Sequence, residues 1–462
     1  MLDCFHDECG IAGVYGNPEA ANHAYLSLYA FQHRGQESAG ITACFPGGSF
    51  SSHKGRGLVS EVFDQEKLNQ LKGTIAIGHN RYSTSGKAIL ENAQPFDIEY
   101  HRGRLSLAHN GNLVNSHLLR RELEAMGAIF RTTNDSEVLL HLIARSRHED
   151  FIETLRSVFM TVRGAYSIVM TDGERLYGIR DPLGIRPLIL GELEEGLVLV
   201  SESCALDLMG ATFIREVNPG ELIVIDGKGF QSIQLLPVTE RSAFCIFEFV
   251  YFARPDSFQF GNYVHNVRKE FGRTLAREAP VDADVVIPVP DSGIVPTLGF
   301  SQESGIPFEM GLIRNHYVGR TFIEPKQSIR HFGVKIKLNP VKSLLEGKRV
   351  VVIDDSIVRG TTSRKIVKMI RDAGAKEVHM RIAAPPTICP CFYGVDTPTR
   401  SELIASNHDL EQICTYITAD SLSYLSHEGM FTAAGGDRNT FCSACFDGNY
   451  PIPFDSPEAG TT

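Results

Sequence analysis

Short apolar runs separated by glycine- and proline-bearing turns dominate the first half of the chain. Residues 9 to 16, CGIAGVYG, have the glycine-punctuated apolar character of a buried strand. AYSIVMTDGERLYGI and ELIVIDGKGFQSI place Asp172-Gly173 and Asp226-Gly227 between apolar stretches, which predicts two hairpins. The spacing predicts helices over about 115–126 and again after Asn134, where Asn134 and Glu137 have capping-box spacing ahead of Val138, Leu139, Leu142 and Ile143. Antiparallel strands with a few helices imply a layered α+β domain. Periodicity falls away in LPVTERS (236–242), which puts a domain at 9–236, a linker at 237–247 and a second domain at 248–462. The aromatic run FCIFEFVYFARPDS after it is expected to pack between the two.

The second half has a different pattern. Val285–Pro288 and Val350–Ile353 are continuous apolar runs of the length expected of strands buried on both faces of a parallel sheet. Ile366, Val367 and Ile370 follow with helical spacing, Gly374 suits the end of that helix, and 378–384 reads as the next strand. The result is a βαβ unit in a doubly wound α/β domain whose ligand loops lie at the strand C-termini.

The chemistry sits at those strand ends. Asp354 and Asp355 close one strand, and Ser356, Gly360, Thr361 and Thr362 occupy the loop before the helix. Adjacent carboxylates can hold sugar hydroxyls or a hard cation, and loop amides at a helix N-terminus suit a phosphate. An ordinary βα turn with capping aspartates is the alternative. A second loop, PDSG at 290–293, follows the other strand and could cradle a diphosphate, or be a simple proline turn. Arg314, Arg320, Lys326, Arg330, Lys335 and Lys337, with Glu324 as the one acid among them, suggest a cationic lid over such a ligand, or else a solvated face. Neither a Walker A pattern nor G-x-G-x-x-G offers a competing nucleotide site.

At 462 residues the chain is too long for one core. A net charge of -10 and a pI near 5.9 argue against a nucleic-acid binder. No signal peptide or membrane-length apolar run is legible, and a cytoplasmic protein is expected. The ten cysteines do not read as a secreted disulfide framework. Cys442 and Cys445 form a Cys-x-x-Cys pair open to zinc, redox or iron–sulfur roles. Cys44, Cys204 and Cys414 lack obvious partners and read as structural. Cys9 would gain a free α-amino group, with a pKa of roughly 8, if Met1–Glu8 were removed as a propeptide. That amine could serve as base for its own thiol.

Four polar clusters, QHRGQESAG (32–40), GHNRYSTSG (78–86), AHNGNL (108–113) and TTNDSE (132–137), follow CGIAG in order. Together they resemble the glutaminase domain of N-terminal nucleophile amidotransferases. The resemblance implies Cys9 as nucleophile, Arg81 and Asp135 as holders of the glutamine α-carboxylate and α-ammonium, and Asn110 with Gly111 as the oxyanion hole. Taken singly, Asn110-Gly111 would suit a hairpin turn, Arg81 a surface ion pair and Asp135 a helix cap.

VVVIDDSIVRGTT resembles the binding signature of phosphoribosyltransferases, enzymes that use 5-phosphoribosyl 1-diphosphate (PRPP). This implies that Asp354 and Asp355 contact ribose and magnesium, that Ser292 contributes to the metal, and that Ser356, Gly360, Thr361 and Thr362 form the PRPP loop. From Cys9 to about Pro451 the chain resembles the iron–sulfur branch of the glutamine PRPP amidotransferase family. That branch implies a 4Fe-4S cluster on Cys245, Cys391, Cys442 and Cys445, with Cys389 a close rival of Cys391. It also implies Mg2+, inhibition by purine nucleotides, a homotetramer, and ammonia passing internally from a glutamine site to PRPP in the committing step of purine synthesis. Amination of another acceptor, or a non-catalytic PRPP-sensing regulator, are the competing readings.

Overall fold

The structure, a computed structural model, describes residues 9–82, 89–315 and 338–453. The leader Met1–Glu8, residues 83–88, which include the end of the second polar cluster, and the basic residues Arg320 to Lys337 lie outside the described residues.

Two antiparallel sheets build the N-terminal domain. One has seven strands in the order Thr212–Glu216, Ile189–Glu192, Leu197–Val200, Gly10–Tyr15, Ile75–Arg81, Ser38–Cys44 and Ser51–Arg56. The other has six: Gly229–Gln234, Glu221–Asp226, Leu176–Arg180, Gly164–Thr171, Gly103–Leu113 and Phe96–Tyr100. Alternation along each strand decides the layers. Ile11, Ile77, Ala108, Val169 and Leu199 share one core cluster joining strands of both sheets. Ala12, Val14 and Ala76 point the other way, onto the helix Ala20–Ala30. Leu105 and Leu107 face the helices Ser116–Ala125, Ser136–Arg145 and Phe151–Thr161. Both expected hairpins form, the second with Asp226 opposite Gly229.

One local expectation fails. Asn134 and Glu137 do not make a capping box: Asn134 Oδ1 accepts from the Ser136 N–H at 2.9 Å, while Glu137 accepts from the N–H groups of Arg131 and Thr132, both at 2.8 Å. Glu137 therefore ties down the incoming loop instead of the helix end, and Asp135 is left as the N-cap residue with its side chain turned elsewhere.

The C-terminal domain carries a parallel sheet in the order Val285–Pro288, Arg349–Asp354, Glu377–Ile382 and Ser421–Tyr424. Val350 and Val352 enter a core with Ile366, Val367 and Ile413. Val351 and Ile353 enter another with Phe271 and Phe300, so the central strand is buried on both faces as its apolar run predicts. Gly374, at φ +99°, ends the helix Thr361–Asp372. The aromatic segment does pack between domains: Phe247, Phe249, Val250 and Phe252 share one core with Ala165 and Ile185 of the first domain and Phe271 of the second.

Candidate active sites and a cysteine cavity

Strand parity assembles the first site. Cys9 precedes the strand Gly10–Tyr15 and lies two residues from Ile11, on the face toward the second sheet. Gly10 is opposite Asn80, which brings Cys9 alongside Arg81 at the end of the neighbouring strand. Arg81 has the parity of Ile77 and is only 2% exposed, so it is not a surface ion-pair residue. The Cys9 thiol, itself buried, lies 3.7 Å from the carbonyl of Tyr82, to which it donates.

From the facing sheet comes Asn110, with the parity of Ala108. It is buried, and neither Nδ2 nor Oδ1 has a hydrogen-bond partner among the described residues. An amide left so costs about 1–3 kcal/mol unless a ligand completes it. Asn110-Gly111 is not a turn, because the strand runs straight on to Leu113. Gly111 has φ +144°, and a Cβ there would lie 2.0 Å from the Ala165 carbonyl oxygen, so only glycine fits. Asp135 accepts the Leu113 N–H at 2.9 Å, which anchors the same strand end.

His79 and His109 link the two sheets, His79 Nε2 lying 3.1 Å from the His109 carbonyl. Burial, helped by Arg81, pushes His79 down to about 3, and burial also lowers His109. Both imidazoles stay neutral at physiological pH.

The second site lies at the C-terminal edge of the parallel sheet. Asp354 and Asp355 are both 7% exposed. Burial, with the neighbouring Asp355 charge, raises Asp354 well above the usual carboxylate range. Burial raises Asp355 too, against hydroxyls of Ser292 and Ser356 that donate to its two oxygens and the nearby Arg268 guanidinium. Ser292 reaches across from the other strand-end loop, so the two loops meet at Asp355. Gly293 makes this possible: a Cβ there would lie 2.5 Å from the Ile353 carbonyl oxygen. Gly360, at φ +77°, leads into the helix Thr361–Asp372, whose first turn has no side-chain cap. Thr361 and Thr362 occupy that turn. Of the basic run, Arg314 is described, half-exposed and paired with Asp291.

A third cluster is cysteine-lined. Cys245, Cys391, Cys442 and Cys445 all border one small cavity, with Arg186, Phe247 and Tyr393. Cys389 does not; its sulfur faces Gly448 and Tyr450. Burial pushes the Cys442 thiol up to about 12, opposed by the Ala444 N–H and reinforced by Cys391. Cys445 is raised well above the ordinary thiol value by burial and by the other three cysteines. Four thiols round one dry pocket, with the ionisation of Cys442 and Cys445 opposed by burial and by their neighbours, suit a cationic group that would hold them as thiolates. Among the described residues no three His, Cys, Asp or Glu side chains are grouped for a single metal ion. Cys44 and Cys204 are buried and Cys414 is partly buried, away from this cavity.

Several buried residues had no legible signal. Arg34, Arg186, Glu202 and Glu248 are fully buried and form an ionic network between the domains. Although burial opposes ionisation, Arg34 and His33 hold Glu202 well below the usual carboxylate range. Arg268 donates to the carbonyls of Phe249, Tyr251 and Ala253 from below the acidic pair.

The fold and its sites define a glutamine amidotransferase domain joined to a phosphoribosyltransferase domain. A glutamine amidotransferase domain model matches residues 79–208. Over 96% of its length the chain is 54% identical to amidophosphoribosyltransferase 1, chloroplastic, of Arabidopsis thaliana, covering 79% of that protein. It is 51% identical to the amidophosphoribosyltransferase of Synechocystis sp., over 96% of this chain and 91% of that one. The solved glutamine PRPP amidotransferase of B. subtilis, complexed with ADP and GMP, superposes with a TM-score of 0.92 at 47% identity, over 97% of this chain and 98% of that one. The chain belongs to the amidophosphoribosyltransferase family. Its reaction converts glutamine, PRPP and water to 5-phosphoribosylamine, glutamate and diphosphate, the entry to purine synthesis.

Proposed function

We propose that Cys9, Arg81, Asn110, Gly111 and Asp135 carry the glutamine half of this reaction, and that the loops 290–293 and 354–362 carry the PRPP half. The observation behind this reading is the buried Asn110 amide, unpartnered among the described residues and aimed into the layer where Cys9 and Arg81 lie. Arg81 binds the glutamine α-carboxylate and Asp135 its α-ammonium. Removal of Met1–Glu8 frees the Cys9 α-amine, which takes the thiol proton; the neutral, buried His79 and His109 are poor candidates for that task. The thiolate attacks the side-chain amide carbon, and the Asn110 amide with the Gly111 N–H receives the developing oxyanion. The C–N bond breaks, the α-ammonium of Cys9 returns a proton to the departing ammonia, and water then cleaves the thioester to glutamate.

Ammonia passes within the protein to the second site and attacks C1 of the ribose, releasing diphosphate. The helix turn at Thr361–Thr362 holds the 5-phosphate, and the loop 290–293 faces the diphosphate. Asp354, Asp355 and Ser292 would hold Mg2+, which would neutralise charge on the departing diphosphate; the buried, mutually repelling acids fit such a cation. Cys245, Cys391, Cys442 and Cys445 would hold a 4Fe-4S cluster that cross-links the C-terminal segment, and the four thiols around one cavity fit that role. The B. subtilis relative solved with ADP and GMP supports regulation by purine nucleotides. A homotetramer and a reducing, cytoplasmic setting complete the proposal; no helix among the described residues is long and apolar enough to cross a membrane.

The test separates the halves. Cys9→Ala should abolish glutamine-supported phosphoribosylamine formation yet permit it with ammonium, whereas Asp355→Ala should abolish both. Loss of both in Cys9→Ala, in a protein of unchanged melting temperature, would refute the division of labour. Intact-mass analysis of fully active protein still carrying Met1–Glu8 would refute the processing step.

A further inference from the structure

The proposed oxyanion hole is not built by the glutaminase domain alone. The segment Cys391–Gly394, which begins at a cysteine of the cavity, leads directly onto it. A Cβ added at Gly394 would lie 3.0 Å from both Cα and C of Gly111, so the backbones of the two glycines are in close approach. A Cβ at Gly111 would in turn meet the Ala165 carbonyl oxygen at 2.0 Å. Gly111, the residue that carries this N–H, is thus closely approached both by a strand of its own domain and by a loop of the other. Its φ of +144° is one that L side chains rarely adopt.

Two residues of the glutaminase domain, Arg186 and Asn112, bind that loop. Arg186, fully buried, donates Nε and Nη2 to the Tyr393 carbonyl at 2.9 and 2.7 Å. Asn112 donates Nδ2 to the Phe392 carbonyl at 2.9 Å. Arg186 is itself fixed by Glu248, 3.6 Å away and fully buried. Its fork closes on the carbonyl immediately before Gly394, and a flexible point charge such as lysine cannot reproduce that geometry.

We infer that Arg186, assisted by Asn112, is a positioning residue for glutamine hydrolysis: by clamping the Tyr393 carbonyl it seats Gly394 against Gly111 and aims the Gly111 N–H at the oxyanion. The inference rests on the oxyanion-hole reading above. On the reading above glutamine is held by Arg81 and Asp135 and not by this loop, so loss of the clamp should act on the transition state and leave ground-state affinity alone.

The experiment compares Arg186→Lys, Asn112→Ala and Gly394→Ala in the full-length protein, with Asn110→Ala as reference. Glutamine hydrolysis is resolved into kcat and KM, and affinity is measured for an aldehyde analogue of glutamine. Cys9 adds to that aldehyde, forming a C–S bond and a tetrahedral oxygen that takes up the thiol proton. The expected result for Arg186→Lys and Asn112→Ala is a fall in kcat of about 10-fold or more, KM for glutamine within about 2-fold, and a matching loss of analogue affinity. Gly394→Ala, which adds a methyl 3.0 Å from Gly111, should lose more. A change in KM alone, unchanged kcat, or unchanged analogue affinity would overturn the inference. Should Arg186→Lys fail to fold, Asn112→Ala, whose side chain is only partly buried, decides. If Asn110→Ala also leaves kcat and analogue affinity intact, the oxyanion-hole reading has failed; if only the other variants are silent, the positioning role alone has failed.

Discussion

Cys245 and Cys442 are direct partners in a parallel two-residue ladder, reinforced by the Ile246 N–H donating to the Cys442 carbonyl at 3.2 Å. The cysteine that opens the C-terminal region is thereby fixed to one near its end. A group bound to all four thiols would lock this ladder to the loop at Cys391. Cys445→Ser is therefore expected to lower bound iron and sulfide and to cost about 2–4 kcal/mol of stability, similar to opening a cross-link across a long loop. Iron content, melting temperature and limited proteolysis within 391–445 measure this. Unchanged proteolysis after complete iron loss would contradict a cross-linking role.

The acidic pair should cost stability at neutral pH. Because burial and Asp355 raise the pKa of Asp354 in the folded state, the folded chain holds a proton there that the unfolded chain has released. Stability from this site is full below the unfolded value of about 3.9 and is lost as pH rises through the raised value. Asp354→Asn should therefore raise the melting temperature at pH 7 to 8, with the gain disappearing toward pH 4, while abolishing PRPP-dependent turnover. Denaturation of both proteins across that pH range checks the sign.

Asn110→Ala removes the unpartnered amide and should reduce kcat for glutamine by about 10²- to 10³-fold. Because the side chain has no partner among the described residues and its burial is costly, folding stability without ligand should hold or rise. A large fall in melting temperature would mean that Asn110 is structural.

Gly293→Ala tests the junction of the two strand-end loops proposed to bind PRPP. A methyl there would meet the carbonyl oxygens of Ile353 at 2.5 Å and Val289 at 2.8 Å, so the loop must shift and carry Ser292 away from Asp355. The expected outcome is weaker PRPP binding by about 1–3 kcal/mol, with the rate of Cys9 alkylation unchanged.

Much of this architecture was legible because strand parity and loop chemistry are local. The run Val350–Ile353 announced a strand buried on both faces, and the carboxylates after it fell at the strand end as expected. Asn110-Gly111 was ambiguous, since that dipeptide usually marks a turn; only pairing with Gly164–Thr171 shows the strand continuing. The capping-box expectation failed because Glu137 found closer donors in the loop before it. The network of Arg34, Arg186, Glu202 and Glu248 was illegible, because its members are far apart in sequence and their surroundings look like surface polar residues. The same holds for Arg186 on the Tyr393 carbonyl, a contact between residues 207 positions apart.

The most direct test of the whole account is the stoichiometry of the two half-reactions. Anaerobically purified protein, given glutamine and Mg2+, is assayed for glutamate, diphosphate and phosphoribosylamine with and without PRPP. Equimolar release of all three, dependent on PRPP, is the expected result. Glutamate release indifferent to PRPP, with no diphosphate, would contradict it.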